Sequence, residues 1–298
     1  MDKRIHYTQC PVCGSASIKE VFGVKDFTVS SEVFNVVECT NCTLRFTQDV
    51  PDTDTIAPYY RSEDYISHTN TRKGLINGLY HAVRKRTIVQ KRKLIAKVTG
   101  LGRGRLLDVG SGVGLFVSEM IEHGWEAKGL EPDAAARAVA KQQYGITLDD
   151  MTEFSQLPKA YFNAITLWHV LEHVHDLHSY ISQLKNSLTS TGRLIVAVPN
   201  YTSYDAQTYG AAWAAYDTPR HLYHFSPASM VELMKRNGLQ VQQYRPMWYD
   251  SFYVSLLSSK YKNGKINWVS AVFNGLVSNI KAIGDPRKCS SVIYIVSK

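Results

Sequence analysis

The stretch "LLDVGSGVGLF", Leu106 to Phe116, restricts more than any other what this chain can fold into. An apolar run ends in glycines at 110, 112 and 114, and a second apolar run, Leu115 to His123, follows at once. Glycine permits left-handed backbone and close approach, so the pattern predicts a buried strand, a tight corner and a helix. Arg105 to Val109 is then the first of a series, since Ala127 to Leu130, Ile146 to Leu148, Ala164 to Trp168 and Leu194 to Val198 are further apolar runs of strand length. Helical patterns at Asp133 to Gln143 and Leu177 to Leu188 lie among them. Strands alternating with helices imply a parallel sheet with right-handed crossovers. Ser226 and Pro227 read as the cap and first residue of a later helix, which Gly238 closes ahead of a strand at Leu239 to Tyr244. The predicted class is α/β: a doubly wound, mostly parallel seven-stranded sheet over residues 101–298, with a helical insertion at 249–285.

Sheets of this kind hold ligands beyond the carboxyl ends of their strands, which puts the site after Val109. A dinucleotide fingerprint needs GxGxxG, whereas here GxGxG places Leu115 where the last glycine belongs, and that weakens a pyrophosphate reading. An acidic residue about 20 positions further on is placed to bond ribose hydroxyls. Glu131, in "KGLEPD", answers to that description, so a ribose-bearing ligand is expected.

Two CxxC pairs, Cys10 with Cys13 and Cys39 with Cys42, stand 25 residues apart. The start of the chain has no apolar core of a signal peptide, and no apolar run approaches the ~18 residues of a membrane span. The expected compartment is therefore the cytoplasm, where such pairs bind metal rather than form disulfides. Four thiolates close a tetrahedral site, so residues 1–50 are expected to form a small zinc-ribbon-like module with a structural Zn2+. Cys289 lies beside the apolar run Ser291 to Val296 and reads as a buried free thiol.

The net charge of +8 comes from one place. Eleven basic residues, from Arg72 and Lys73 to Arg103 and Arg105, and no acidic residue fall between Tyr65 and Leu107; the rest of the chain carries 23 Lys and Arg against 26 Asp and Glu. Residues 51–100 thus read as a basic helical connector, which suits a nucleic acid, an anionic membrane surface or a phosphorylated substrate, or simply a solvated helix face.

The runs "LLDVGSGVGLF", "GLEPD", "FNAITLWHVLEHVHD" and "GRLIVAVPN", in this order across residues 100–245, resemble the class I, Rossmann-like S-adenosylmethionine-dependent methyltransferases. "CPVCGS", "CTNC", the pair Tyr59 and Tyr60, and "PRHLYHFSP" resemble members that carry an N-terminal zinc-binding module, among them C-methyltransferases of nucleotide-linked sugars in bacterial envelope pathways. The resemblance implies S-adenosylmethionine as cofactor, with Asp108, Gly110, Gly112 and Gly114 beside its methionine part and Glu131 on its ribose hydroxyls. It further implies Asp150 and Met151 near adenine, and Trp168 and His169 beside the cofactor after the fourth strand. The chain departs from the family's usual aspartate at Asn163.

A sulfonium already activates its methyl group, so the protein's task is to align the acceptor and, where needed, take its proton. Histidine does this near neutral pH, which makes His221 the first candidate and His169 and His173 the others; His173 equally suits a packing role. The loop from Asn200 to Pro219 offers Tyr201, Tyr204, Tyr209, Trp213 and Tyr216 as walls of an acceptor pocket. Arg220 and Tyr223 are candidates for holding the acceptor, and Tyr65 and His68 for closing the pocket. The pattern Trp268, Val269, Val272, Phe273, Leu276, Val277 and Ile280 marks one helix face, expected to pack on the domain or a second subunit, with a lid or a peripheral membrane contact as the alternatives. The expected partner is a small-molecule acceptor, a nucleotide-linked sugar or another cell-envelope precursor. An RNA methyltransferase is the alternative, although no "PPY"-type run follows the fourth strand, and a non-enzymatic nucleic-acid-binding module is a third reading. The oligomeric state is left open.

Overall fold

The computed structural model describes residues 3–61 and 75–298, with side chains in the first long helix described from Arg84 onward. Tyr65, His68, Arg72 and Lys73 lie outside the described residues. The N-terminal part forms β1 (Arg4–Ile5), β2 (Ile18–Lys25), β3 (Val33–Cys39), β4 (Arg45–Thr47) and β5 (Val50–Pro51). After helix α1 (Leu75–Thr99) come β6 (Arg105–Val109), α2 (Leu115–Glu122), β7 (Glu126–Leu130), α3 (Ala134–Tyr144), β8 (Phe162–Trp168), α4 (Leu177–Ser187) and β9 (Leu188–Pro199). The chain continues through α5 (Tyr204–Tyr209), β10 (Tyr223–His224), α6 (Pro227–Arg236), β11 (Gln240–Pro246), α7 (Asp250–Asn263), α8 (Trp268–Ile283) and β12 (Ser291–Ser297).

Six strands form the main sheet, in the order β11-β12-β9-β8-β6-β7, with β6 parallel to both of its neighbours. The expected seventh strand at Ile146 to Leu148 is missing. Only Asp149 pairs beside β7, through an isolated parallel bridge to Leu130 in which Asp149 N donates to Gly129 O and Glu131 N to Asp149 O, while Leu148 packs with Val117 and Ala140. Ser226 caps α6 ahead of Pro227 as read, in a capping box with Ser229; Asp133 likewise caps α3 by accepting from Ala135 N, and Gly145 ends that helix in the left-handed conformation.

The described chain divides into two compact units, one of residues 3–61, 171–178 and 197–294, the other of 75–170, 179–196 and 295–298. The second unit carries the glycine corner between β6 and α2. In the first, four strands pair in the order β10-β4-β3-β2, so Tyr223 and His224 of "PRHLYHFSP" complete the sheet that the N-terminal cysteines begin. Four of the five loop aromatics expected to wall a pocket pack instead into this unit's core, while the half-buried Tyr204 lies under the Lys281 ammonium. Tyr201, Tyr209, Trp213 and Tyr216 cluster with Val24 and Val36, and their polar tips are spent internally: Tyr201 donates to Thr43 O, Trp213 to Asp205, and Tyr216 accepts from Arg45.

The apolar face of α8, expected to pack on the domain or on a second subunit, does not pack on the domain. Ala271, Asn274, Gly275, Ser278 and Ala282 form its buried side, with the α-carbon hydrogen face of Gly275 close to Phe252, while Val269 and Phe273 are 82% and 60% exposed. Small residues let the helix approach α7 closely, which leaves the large ones on the outer side. Among the described residues no helix is long and apolar enough to cross a membrane.

Candidate functional site

The glycine corner is a cradle built from backbone. Gly110, Gly112 and Gly114 have φ of 71°, 54° and 76°. A side chain at Gly110 would place its Cβ 2.5 Å from Val170 Cγ2, so glycine is required there for space as well as for conformation, while at Gly114, where the nearest atom is the movable tip of Ile146 at 2.8 Å, the left-handed backbone makes the stronger demand. Gly112 faces open space. Its amide donates to Glu131 Oε2 at 2.7 Å, and the amide of Asp133 donates to Glu131 Oε1 at 3.0 Å. The Glu131 carboxylate is thereby fixed beside the turn, only 8% exposed, and burial raises its pKa. Arg137 ties the next layer together, donating to Glu131 O at 2.6 Å and pairing with Asp150 at 2.8 Å. Asp150 in turn caps the short helix Met151–Gln156, so Glu131, Asp150 and Met151 stand along one rim.

At the end of β8, Trp168 lies edge-on to Phe116 with the Lys91 ammonium 4.1 Å above its ring. Its indole N–H is buried and has no hydrogen-bond partner among the described residues, which suits a donor meant for a ligand. His169 follows with φ 58°, a left-handed conformation that costs a non-glycine residue energy and is frequent at functional turns. A cofactor with ribose hydroxyls and polar termini fits this donor and acceptor set. Asn163 answers a structural need: its Oδ1 accepts from Arg105 N at 2.9 Å and anchors the start of β6.

Asp108 is 2% exposed, accepts a 2.5 Å hydrogen bond from the Thr166 hydroxyl, and is pushed up to about 6 by burial. A carboxyl raised in the folded state stabilises the fold only while protonated; the contribution is complete below about pH 4 and lost as pH rises through 6. Asp108→Asn should therefore match the wild type near pH 4 and gain on it by about 2 kcal/mol at pH 7.5. Urea midpoints at the two values check this; a gap that does not widen with pH would contradict it.

In the first unit, Cys10, Cys13, Cys39 and Cys42 are buried with all four sulfurs within 4.8 Å of one another. Cys10 Sγ lies 3.5 Å from Cys42 Sγ, and Cys13 Sγ the same distance from Cys39 Sγ, near the ~3.8 Å edge of a tetrahedron with 2.3 Å zinc–sulfur bonds. The two knuckles are built alike: Gly14 N returns to Cys10 O and Thr43 N to Cys39 O, and both Gly14 and Thr43 are left-handed, at φ 69° and 60°. The residues fit a zinc ion.

The same unit gathers Glu172, His173 and His221. His173 and His221 meet edge to face with ring centroids 4.6 Å apart. His173 Nδ1 lies 3.0 Å from both Arg220 O and Tyr60 Oη, and His221 Nδ1 lies 2.8 Å from Ala215 O. Burial pulls His173 down to about 4, so it is neutral at physiological pH. Arg220, expected at the acceptor, is 1% exposed; it pairs with Asp26 at 3.0 Å and Asp217 at 2.6 Å and donates to Tyr59 O at 2.8 Å. Tyr223 is likewise buried, its hydroxyl donating to His175 O. Asp26 escaped the sequence reading, whereas Glu172 stands in it beside the histidines of "WHVLEHVHD", without a role of its own. Part of the basic connector is also committed, Lys91 to Trp168 and Arg92 to Glu119 at 2.7 Å.

The chain is similar to ubiquinone biosynthesis O-methyltransferases, at 30% identity over 142 residues for that of Glaesserella parasuis (43% of this chain, 60% of the relative) and 23% over 157 residues for that of Rhodopseudomonas palustris (49% and 62%). It spans about 60% of the length of these curated relatives. Among solved structures, magnesium protoporphyrin IX methyltransferase from Synechocystis superposes with a TM-score of 0.53 at 14% identity, covering 83% of this chain and all of that one. The 1,6-didemethyltoxoflavin-N1-methyltransferase of Burkholderia thailandensis gives 0.50 at 14% identity, covering 87% and 97%. These likenesses show the Rossmann-like methyltransferase fold. A family model described as a methyltransferase domain matches residues 80–244, more than half of the chain, and the chain belongs to that family.

Proposed function

We propose that this protein transfers the methyl group of S-adenosylmethionine to a small-molecule acceptor. The observation that carries the reading is the Glu131 carboxylate, held by the amides of Gly112 and Asp133 at the rim of a backbone cradle. Glu131 accepts from the ribose hydroxyls, the left-handed glycine corner lets backbone lie against the methionine part, and Asp150 and Met151 border the adenine. The Trp168 indole N–H donates to a polar group of the cofactor. The bound sulfonium supplies an activated methyl, so the chain's own contribution is to fix the donor and keep water from it. The acceptor atom we assign is a hydroxyl oxygen, in keeping with O-methyltransferases among the relatives. The acceptor class, a nucleotide-linked sugar or other envelope precursor, rests on the resemblance of "CPVCGS", "CTNC" and "PRHLYHFSP" alone. The four cysteines hold a structural Zn2+, which fastens the two knuckles of the first unit.

The test is transfer of labelled methyl from S-adenosylmethionine into cell extract separated into RNA, lipid and small-molecule fractions, by wild type and Glu131→Ala. Label in the small-molecule fraction that the variant loses is the expected result. Label confined to RNA would overturn the acceptor class, and label that the variant keeps in full would overturn the placement of the cofactor.

A further inference from the structure

Glu172, His173 and His221 come from two separate stretches of chain that the first unit binds together. Leu222 N donates to Glu172 O at 2.8 Å, and His221 N to Asp217 O at 3.0 Å. The Arg220 guanidinium, clamped by Asp26, Asp217 and Tyr59 O, pins the residue next to His221. Both imidazoles have Nδ1 against a backbone carbonyl, Arg220 O for His173 and Ala215 O for His221. A carbonyl only accepts, so His221 Nδ1 carries the proton and its Nε2 keeps its lone pair; at His173 the same tautomer satisfies Arg220 O, with the Tyr60 hydroxyl at 3.0 Å as a second acceptor of the Nδ1 proton. Such carbonyl-fixed tautomers are the usual support of metal-ligating histidines. One ring nitrogen of each histidine and one carboxylate oxygen of Glu172 lie within 4.8 Å of one another, a span that a cation with bonds of about 2.1 Å closes by small side-chain rotations.

We propose that Glu172, His173 and His221 form a second metal site, taking a divalent first-row transition-metal ion in a two-histidine, one-carboxylate arrangement. Borderline nitrogen donors with one hard oxygen select iron, cobalt, zinc or manganese over calcium and magnesium. Three protein ligands leave positions open for water or an oxygen ligand, unlike the closed cysteine site. The site does not depend on the methyl-transfer reading.

Untagged full-length protein, its cysteine site filled with zinc, is titrated with Co2+ and followed by visible absorption and calorimetry. One further equivalent is expected, giving d–d bands without thiolate charge transfer. His221→Asn and Glu172→Gln should each weaken it by at least about 100-fold, more than loss of a supporting residue costs. In the same variants, cobalt loaded at the cysteines should still show its thiolate band, which reports that the unit is folded. X-ray absorption on the second equivalent in the wild type gives a readout free of any variant and should show two imidazoles. No second equivalent, a shell without imidazole, or binding retained by both variants would each overturn the proposal.

Discussion

Arg220→Met is expected to cost about 3–5 kcal/mol of stability, the loss typical of removing one partner from a buried ion pair. Methionine fills much of the space, but it leaves the Asp26 carboxylate, 0% exposed, without its cation. Asp26 would keep the amides of Thr28, Val29 and Ser30, a set that supports the anion but does not neutralise it. Burial alone would raise both carboxyls, yet hydrogen bonds and the guanidinium hold Asp26 and Asp217 below the usual range. Groups held low stabilise the fold above the unfolded carboxylate range and lose that effect as pH falls through their folded values. The gap between wild type and variant should therefore be full at pH 7 and shrink below about pH 4. Urea unfolding followed by far-ultraviolet circular dichroism measures it. A loss under about 1 kcal/mol would place the pair with exposed ion pairs and refute the anchoring role given to Arg220.

Glu131→Ala should weaken S-adenosylhomocysteine binding by about 10- to 100-fold, as expected for losing a charged hydrogen-bond partner. Two effects combine. The ribose hydroxyls lose their acceptor, and the amides of Gly112 and Asp133 lose the oxygens that fix the turn. Glu131→Gln separates them, because one amide oxygen can still hold one of the two backbone donors while the charge is gone. Calorimetry should therefore rank affinity as wild type, then Gln, then Ala. Equal affinities in all three would remove Glu131 from the cofactor site.

The cradle was legible in the sequence because it is local. Glycines at alternate positions and an acid one strand later impose their geometry within a span of about twenty residues. The cysteine cluster was legible for a different reason: CxxC knuckles announce themselves in pairs, whatever lies between them. What stayed hidden depends on distant partners. Ile146 to Leu148 has a strand's composition, but its pairing beside β7 comes down to the one bridge of Asp149 to Leu130, and its apolar side chains serve the cluster with Val117 and Ala140. Tyr201, Tyr209, Trp213 and Tyr216 have a binding loop's composition, and only the approach of β2 and β3 turns them into core. Arg220 looked like a substrate anchor until Asp26, 194 positions earlier, supplied its counter-charge.

The pairing of β10 with β4 has a consequence for how this protein is made. Phe46 is matched with Tyr223, and the hydroxyl of Thr47 reaches His224 across 177 positions of sequence. A chain leaving the ribosome exposes β2, β3 and β4 long before their fourth strand exists, and contacts of such separation form late. The cysteine knuckles are local, and the zinc proposed for them would let the unfinished sheet hold its register early. Until residue 224 emerges, β4 is an open edge able to pair with other chains, which marks truncations ahead of that point as prone to aggregate.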